Sequence, residues 1–294
     1  MTLKQALVRA REILTANNTE DTPLKSELLL RHALRLSRVQ LYLEFNRELS
    51  PDEEETFWQL IKRCLDGEPT AYITGHREFY GLDFYVDSSV LIPRPESELL
   101  VNEALKVAQD HRISTIAEIG TGSGAIAISL ALSLPQAKIY ATDISAPALK
   151  VARFNCQKHR VLNRVCLLQG DMLKPLPEPV DLVIANLPYV KQSELSLACL
   201  TSDEPSLALN GGSDGLEKIR CLCRQLGDKL HLEGYLLLEI GQGQRRAVTT
   251  FLRGLFPLAS IEVMPDLNGI DRVVSLTLSP VSNLSRTQFE SAEI

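Results

Sequence analysis

The stretch EIGTGSG, residues 118–124, decides the fold of this chain. It follows the apolar residues TIA (115–117) and precedes the apolar run AIAISLAL (125–132), so it predicts a strand end, a glycine turn and a helix start. Glycine lets a backbone turn tightly and approach a ligand, and the free amides at a helix start face that ligand. The stretch therefore predicts a nucleotide-binding loop.

The spacing of the residues around this loop does not identify its ligand. The predicted contacts are Gly120, Thr121, Gly122, Ser123 and Gly124. Asp143 ends the next predicted strand, nineteen residues after Gly124, where a carboxylate can accept hydrogen bonds from ribose hydroxyls. The loop also satisfies the dinucleotide pattern GxGxxG/A if Ala125 takes the third place. NAD and S-adenosylmethionine both fit these features.

From Thr115 onwards, predicted apolar strands alternate with predicted helices. The predicted strands are TIAEI (115–119), KIYATD (138–143), RVCLLQGD (164–171), VDLVIA (180–185), GYLLLEIG (234–241), IEVMPD (261–266) and RVVSLTLS (272–279). Helices are expected from Ala125, from Pro147 and through Lys218 to Lys229. This alternation indicates an α/β fold with a mostly parallel sheet covered on both faces. Asn268-Gly269 predicts a final hairpin that adds an antiparallel edge strand.

Asp171 and Met172 follow the third predicted strand, at the height expected for an adenine ring. The Asp171 carboxylate can accept from an exocyclic amine, and Met172 can pack on the ring. On spacing alone, a helix cap and a core methionine explain the pair equally well.

The tetrapeptide Asn186-Leu187-Pro188-Tyr189 ends the fourth strand, where a buried strand should meet a pocket. The Asn186 side-chain oxygen and the Leu187 carbonyl can accept both N–H groups of a planar amine or amide. Such acceptors favour the pyramidal nitrogen that attacks an electrophilic methyl group. Pro188 stiffens the corner, and Tyr189 offers a flat face. A turn with an asparagine cap and a packed tyrosine is the structural alternative.

The first seventy residues predict a small helical bundle, since their apolar residues recur every three to four positions. Ser50, Pro51 and Glu53 supply a serine N-cap, a first-turn proline and a capping box for one helix.

Residues 71–92 predict a hairpin linker, because aromatic and β-branched residues such as Tyr72 and Ile73 are interrupted by glycines. A helix is expected from about Glu96 to Ala108 in the α/β domain, residues 93–282, and a flexible tail over residues 283–294. Arg94 lies between two prolines, and this rigid setting can aim it at a substrate backbone.

Composition excludes several classes of protein. The 294 residues are 45% hydrophobic and carry a formal net charge of −6, which argues against a generally basic nucleic-acid binder. No apolar stretch approaches a membrane span, so we expect a cytoplasmic protein. No Cys/His cluster has zinc-like spacing, so we expect no metal. The six cysteines are scattered: Cys64, Cys156, Cys166, Cys199, Cys221 and Cys223.

Over nearly its whole length the chain resembles the release-factor glutamine methyltransferases, also called the PrmC or HemK family. The resemblance lies in GEPTAYITGHREFYGLDFYV (67–86), VLIPRPESELL (90–100), EIGTGSGAIAISLAL (118–132), ATDIS with ALKVARFN (141–155), GDML (170–173), and EP with GGSDGL (204–216). The first two blocks are specific to this family, whereas the glycine loop is shared by class I methyltransferases. The predicted fold is therefore a Rossmann-like, seven-strand methyltransferase sheet with a small N-terminal helical bundle.

The resemblance implies S-adenosylmethionine at the glycine loop, Asp143, Met172 and Asn186, and the position of Asp171 adds that residue to the expected donor site; S-adenosylhomocysteine is the expected product. The resemblance also implies the substrate at residues 186–189, beside which the setting of Arg94 adds that residue, and it implies that the acceptor is the glutamine side-chain amide in the Gly-Gly-Gln motif of class I peptide chain release factors. The N-terminal bundle would bind the release factor. We expect no direct nucleic-acid or membrane partner.

Two residues depart from the family pattern. Leu187 replaces the first proline of the usual NPPY, although a backbone carbonyl is present in both. Ser97 replaces the usual threonine and keeps the hydroxyl. Because NLPY also occurs in ribosomal RNA adenine dimethyltransferases, methylation of an adenine amine in RNA or DNA remains an alternative. A non-catalytic adaptor that binds an adenosyl ligand is the third hypothesis.

Overall fold

The computed structural model describes residues 1–195 and 203–279, and the chain divides into two compact units. Residues Met1–His76 form the first unit. Residues 77–195 and 204–279 belong to the second. Cys199 and the tail predicted over residues 283–294 lie outside the described residues.

The first unit is helical, as predicted. Its helices are α1 (Leu3–Ala16), α2 (Thr22–Leu34), α3 (Arg38–Leu43), α4 (Pro51–Leu65) and α5 (Thr70–Thr74). Leu7, Leu29 and Phe57 are among the buried residues of its core. The capping box of α4 is present, because Ser50 Oγ accepts from Glu53 N at 3.3 Å and Glu53 Oε2 accepts from Ser50 N at 2.9 Å.

The second unit begins with the short antiparallel hairpin β1 (Arg77–Phe79) and β2 (Leu82–Phe84). The prediction placed Tyr72 and Ile73 in this hairpin and was wrong there, since both lie in α5 and bury their side chains in helical turns. The helix predicted from Glu96 to Ala108 is α6 (Glu98–Asp110). It begins two residues late because a 3-10 turn, Pro95–Ser97, precedes it.

A seven-strand sheet forms the centre of the second unit, as predicted. Its strands are β3 (Thr115–Ile119), β4 (Lys138–Asp143), β5 (Val165–Gln169), β6 (Val180–Ala185), β7 (Leu230–Glu239), β8 (Ser260–Pro265) and β9 (Asp271–Thr277). Their order is β5-β4-β3-β6-β7-β9-β8, and the first five run parallel. The other helices in the described part of this unit are α7 (Ala125–Ser133), α8 (Ala146–Lys158), α9 (Ser206–Leu209), α10 (Glu217–Arg224) and α11 (Arg245–Leu255).

The predicted final hairpin is present, since β8 and β9 pair antiparallel and β8 is the edge strand. The strand that runs antiparallel to the rest of the sheet is β9, which lies inside the sheet between β7 and β8. The more apolar strand takes the covered place, because β9 buries Val273, Val274 and Leu276 whereas β8 buries none of its residues. Helix α10 ends at Arg224 and not at Lys229, since the chain turns at residues 225–229 before β7.

Strand β6 shows why both faces of the sheet are covered. Leu182 and Ile184 pack into one hydrophobic cluster, and Val183 and Ala185 pack into a second. Successive side chains of a strand point to opposite faces, so an uninterrupted apolar run supplies two cores at once. The carboxyl ends of the parallel strands then meet at one edge, where loops gather.

Candidate active site

A single cavity opens beyond the carboxyl ends of β3, β4, β5 and β6 and collects most of the predicted site residues. Those that line it are Arg94, Gly120, Thr121, Gly122, Ser123, Asp143, Asp171, Met172, Asn186, Leu187 and Pro188. Gly124 lies just behind the lining, as the N-cap of α7. Tyr189 also lies behind it, with its ring against Gly241. Separate strand ends, far apart in sequence, thus contribute to one site.

The glycine loop folds onto the end of β4. Gly120, Gly122 and Gly124 have φ angles of +73°, +53° and +81°, a region that favours glycine. The amides of Gly120 and Thr121 both donate to the Thr142 carbonyl at 2.9 Å. The loop therefore owes its shape to neighbouring backbone bonds.

Asp143 joins this loop to the end of β4. Its Oδ2 accepts from Gly122 N at 2.9 Å, and its Oδ1 accepts from Ser145 N at 2.8 Å. Burial raises the pKa of this carboxyl above its usual value, and the two backbone donors oppose that shift. The carboxylate is thus placed at the cavity with acceptor capacity to spare, since each oxygen has two lone pairs.

Glu118 is a site residue that the sequence interpretation missed. Its side chain is 2% exposed, and its Oε2 accepts from Thr121 Oγ1 at 2.5 Å and from Ala127 N at 3.0 Å. Burial raises its pKa to about 8. A carboxyl in the apolar run TIAEI was the available signal, because acids are almost never fully buried without a partner. A cationic group in the cavity would stabilise its ionised form.

Asp171 and Met172 follow β5 and line the cavity. The Asp171 carboxylate pairs with Lys174 Nζ at 2.7 Å and stays partly exposed. Met172 has a φ of +53°, and its carbonyl accepts from Thr142 Oγ1 at 3.0 Å. The turn is therefore held in place from β4, with Asp171 and Met172 both beside the cavity.

Asn186 presents its side-chain oxygen without a protein donor. Its Nδ2 donates to Ser97 Oγ at 2.9 Å, and Ser97 Oγ donates to Glu239 Oε2 at 2.6 Å. Within residues 1–195 and 203–279, neither Asn186 Oδ1 nor the Leu187 carbonyl oxygen accepts a hydrogen bond. Both acceptors of the predicted clamp are therefore available to a ligand.

Glu239 lies at the end of β7 and is 1% exposed. Burial raises its pKa to about 7, although the hydrogen bond from Ser97 and the charge of Arg272 oppose this shift. The Tyr189 hydroxyl lies 3.5 Å from Glu239 Oε1, and burial next to this carboxyl raises the pKa of Tyr189 to about 12. Tyr189 thus packs as a neutral phenol that supports the corner from behind.

The chain after the corner is braced by the loop over residues 209–215. Val190 N donates to Leu209 O at 3.0 Å, and Gly211 N donates to Val190 O at 2.8 Å. A Cβ on Gly211 would lie 2.7 Å from the Tyr189 Cα, a distance that side chains do not tolerate. The two backbones therefore approach as closely as they do because residue 211 is glycine.

Gln244 is a further support that the sequence interpretation missed. Its Nε2 donates to the Tyr189 carbonyl at 3.2 Å and to the Gly215 carbonyl at 3.3 Å, while its Oε1 accepts from Gly241 N at 2.8 Å. One side chain thereby links three backbone segments. Nothing in the spacing of glutamines marks such a role.

Arg94, predicted as a residue aimed at a substrate, has a protein partner as well as a place at the cavity. It lines the cavity, but its guanidinium pairs with the buried carboxylate of Glu204. Glu204 Oε1 also accepts from Ile92 N at 3.0 Å. Arg94 and Glu204 therefore tie the LIPRP block to the segment that leads into α9, and Pro205 and Leu207 of that segment line the cavity.

The described residues hold no group of three His, Cys, Asp or Glu side chains arranged to bind a metal ion. In the same part of the chain, no helix is both long and apolar enough to cross a membrane.

Comparisons with known proteins cover both units. Residues 5–75 match the PrmC N-terminal domain, and residues 95–202 match the methyltransferase small domain. A release factor glutamine methyltransferase of Moorella thermoacetica is 44% identical over 274 residues, which are 92% of this chain and 97% of that protein. A release factor glutamine methyltransferase of Koribacter versatilis is 39% identical over 279 residues, 93% of this chain and 98% of that protein.

Solved structures share the fold at low sequence identity. A methyltransferase from Pyrococcus furiosus has a TM-score of 0.51 and 17% identity, over 74% of this chain and 97% of its own. The hMettl16 catalytic domain, solved with the MAT2A 3'UTR hairpin 6, has a TM-score of 0.56 and 16% identity, over 73% of this chain and 81% of its own. The described sheet thus shares its fold with both of these structures.

Proposed function

This chain belongs to the family of release factor glutamine methyltransferases, and on that premise we propose its donor, acceptor and partner. The methyl donor is S-adenosylmethionine. The acceptor is the side-chain amide nitrogen of the glutamine in the Gly-Gly-Gln motif of class I peptide chain release factors. The reaction takes place in the cytoplasm, where translation ends.

One observation supports this acceptor chemistry most directly. Asn186 Oδ1 and the Leu187 carbonyl oxygen are two hydrogen-bond acceptors on consecutive residues, and no donor of the described residues bonds to either of them. A primary amide nitrogen carries two N–H groups and therefore matches a pair of acceptors. Ser97 holds the donor end of the Asn186 amide, so the oxygen is the end left for a ligand.

The same two acceptors act on the reactivity of the nitrogen. An amide nitrogen is a poor nucleophile because its lone pair is delocalised into the carbonyl group. Acceptors at both N–H groups favour the pyramidal nitrogen of the transition state over the planar ground state, so they stabilise the former more. Alignment of the nitrogen with the methyl group supplies the rest, an effect of up to about 7–11 kcal/mol in well-oriented systems.

The residues of the cavity fit S-adenosylmethionine. Asp143 can accept from its ribose hydroxyls, and the buried Glu118 carboxyl can meet its ammonium group. Asp171 and Met172 can hold the adenine ring, and the glycine loop lets the backbone approach. When bound, this molecule supplies a methyl group on a positively charged sulfur and leaves as S-adenosylhomocysteine.

The N-terminal helices bind the release factor in this proposal. Residues 1–70 form the recognition bundle, residues 71–92 the linker, and residues 93–282 the methyltransferase domain. Deletion of residues 1–70 should raise the KM for a full-length release factor far more than the Kd for S-adenosylhomocysteine. Equal losses of both would show that the bundle supports folding only.

The proposal is tested by the destination of the methyl group. The protein is incubated with labelled S-adenosylmethionine and with a purified, unmethylated class I release factor or bulk RNA in parallel. We expect label in the release factor and background label in RNA. Label in RNA alone would contradict the proposal and favour adenine methylation, and label in neither would favour a non-catalytic adaptor.

A further inference from the structure

Two buried polar side chains, those of Ser97 and Glu239, are hydrogen-bonded in series to the Asn186 amide; Ser97 also lines the cavity, whereas Glu239 is not among the lining residues. Asn186 Nδ2 donates to Ser97 Oγ at 2.9 Å, and Ser97 Oγ donates to Glu239 Oε2 at 2.6 Å. Ser97 is 3% exposed and Glu239 is 1% exposed. These residues come from the turn before α6 and from the end of β7, respectively.

The chemistry of Asn186, Ser97 and Glu239 decides which group donates and which group accepts in each of these two hydrogen bonds. An ionised carboxylate only accepts hydrogen bonds, so the single hydroxyl proton of Ser97 is used toward Glu239. The hydroxyl oxygen can then only accept from Asn186. An asparagine amide has one donor end and one acceptor end, so the NH₂ group must face Ser97 and the oxygen must face away from it. The reversed amide would place two acceptors against each other.

We propose that Ser97 and Glu239 are positioning residues that fix the Asn186 side-chain oxygen toward the acceptor amide. This inference rests on the proposed function, since it concerns the clamp of that same reaction. A reversed amide would present NH₂ to an N–H group of the substrate. Two donors repel each other, and the catalytic contact would be lost.

The surroundings of Ser97 are built to keep it in place. Pro93 and Pro95 stiffen the chain that leads to it, and the Pro93 carbonyl accepts from Arg77 Nε at 3.0 Å. Arg94 is tied to the buried Glu204. The LIPRP block therefore positions the Ser97 hydroxyl group at Asn186.

Because Ser97 and Glu239 are buried, loss of either hydrogen bond should affect the orientation of the Asn186 amide. An unsatisfied polar group is costly in a buried environment, so the Ser97 hydroxyl cannot be removed without effect on its two partners. Without the Ser97 hydroxyl, the two orientations of the Asn186 amide become similar in energy. The productive one would then be populated only in part.

The test compares four variants of the full-length protein with wild type: Ser97→Ala, Ser97→Thr, Glu239→Gln and Ser129→Ala. Ser129 is the matched control, because it is equally buried in α7 and its hydroxyl donates to the Ala125 carbonyl. The kcat and KM for a release factor and the Kd for S-adenosylhomocysteine are measured at about pH 8, where a carboxyl with a pKa near 7 is mostly ionised. The melting temperature of each variant shows whether it is folded.

We expect Ser97→Ala to lower kcat by about 10- to 100-fold, by analogy with the loss of a hydrogen-bonding partner behind a metal-binding side chain. The KM and the Kd should change by less than about threefold. Ser97→Thr keeps a hydroxyl group and should retain most of the wild-type kcat, and Ser129→Ala should have the wild-type kcat. A folded Ser97→Ala variant with the kcat of wild type would overturn the proposal.

A double-mutant cycle tests whether Ser97 and Glu239 act as a unit. Glu239→Gln should lower kcat by about tenfold alone and by much less in the Ser97→Ala background, because the series of hydrogen bonds is already broken there. If the two losses multiply, the residues act independently and the proposal is wrong.

One readout does not depend on turnover. The side-chain amide protons of Asn186, assigned by their loss in Asn186→Asp, should show one hydrogen-bonded NMR resonance in wild type that is absent in Ser97→Ala. A shifted resonance in a protein that methylates no release factor would leave this inference standing while the proposed function falls. Identical amide resonances in wild type and Ser97→Ala would overturn the inference alone.

Discussion

The glycine loop and the NLPY corner lie at the same edge of the sheet, but they are held in opposite ways. The loop keeps its shape through hydrogen bonds from its own backbone amides to the Thr142 carbonyl and the Asp143 carboxylate, and both acceptors belong to the neighbouring strand. The corner depends on side chains that are distant in sequence, since Ser97 and Glu239 lie on either side of it and are 142 positions apart. In the proposed function, the half of the site that holds the methyl donor is thus built from residues close together in the chain, and the half that holds the acceptor is built from residues far apart in it.

This difference has a consequence for substitutions. Changes near the loop should affect binding of S-adenosylmethionine, whereas changes around the corner should affect transfer of the methyl group. The four substitutions that follow separate the two halves.

Asn186→Ala should have the largest effect. It removes one of the two hydrogen-bond acceptors that the proposed function places at the substrate amide, and loss of a single such contact costs about 10²–10³-fold in kcat. The Kd for S-adenosylhomocysteine should remain measurable by calorimetry. The exposed Asn163→Ala is the matched control and should keep the wild-type rate. Full turnover by Asn186→Ala would show that the corner is not the clamp.

Glu118→Gln should change how the stability of the ligand-free protein depends on pH. The folded pKa is about 8 against an ordinary value of 4.5, so between these values the unfolded chain loses the proton and the folded one keeps it. Stability therefore falls as pH rises through this window, by an order of a few kcal/mol. Urea unfolding at several pH values should show a smaller fall in Glu118→Gln.

The exposed Glu20→Gln is the control for that experiment and should leave the slope unchanged. The same Glu118→Gln protein should bind S-adenosylhomocysteine more weakly, because a neutral amide cannot balance an ammonium group. An unchanged pH slope together with unchanged binding would exclude Glu118 from the site.

Gly211→Ala should damage the corner without a direct effect on the loop. The new Cβ would lie 2.7 Å from the Tyr189 Cα and 2.8 Å from the Pro188 carbonyl oxygen, so the corner must shift. Overpacking of this kind costs about 1–3 kcal/mol, and kcat should fall with it. Gly254→Ala in α11 is the control, since its Cβ meets nothing within 4 Å. Loss of S-adenosylhomocysteine binding with normal kcat would reverse the assignment of the two halves.

Gly122→Ala should have the smallest effect. Its φ is +53° and a Cβ there meets nothing within 4 Å, so the cost is backbone strain of about 1–2 kcal/mol. The Kd for S-adenosylhomocysteine should rise by about tenfold or somewhat more, while kcat at saturating donor stays close to wild type. A fall in kcat without a change in Kd would show that the loop also aligns the acceptor.

The same contrast explains how much the sequence could predict. The strands, the glycine loop and the serine cap of α4 follow from residues close together in the chain, and the structure bears out those elements. The supports of the corner do not, because spacing along a chain says nothing about which distant side chains meet. Ser97 stood out only as a departure from a family pattern, and its hydroxyl proves to contact Asn186.

Arg94 shows the same limit for a charged residue. Two flanking prolines predicted a rigid side chain, and its place in the cavity lining agrees with that. Its partner could not be predicted, since Glu204 lies 110 positions away. The inner position of β9 could not be predicted from the sequence either, because a hairpin signal indicates which two strands pair with each other but not which of them pairs with the rest of the sheet.

The site of the added methyl group tests the central claim most directly. A class I release factor is treated with wild-type protein or with Asn186→Ala, digested, and sequenced by tandem mass spectrometry. We expect one methyl group on the side-chain nitrogen of the Gly-Gly-Gln glutamine after wild-type treatment and almost none after Asn186→Ala. A methyl group on any other residue, or equal methylation by both proteins, would contradict the claim that the NLPY corner holds that glutamine.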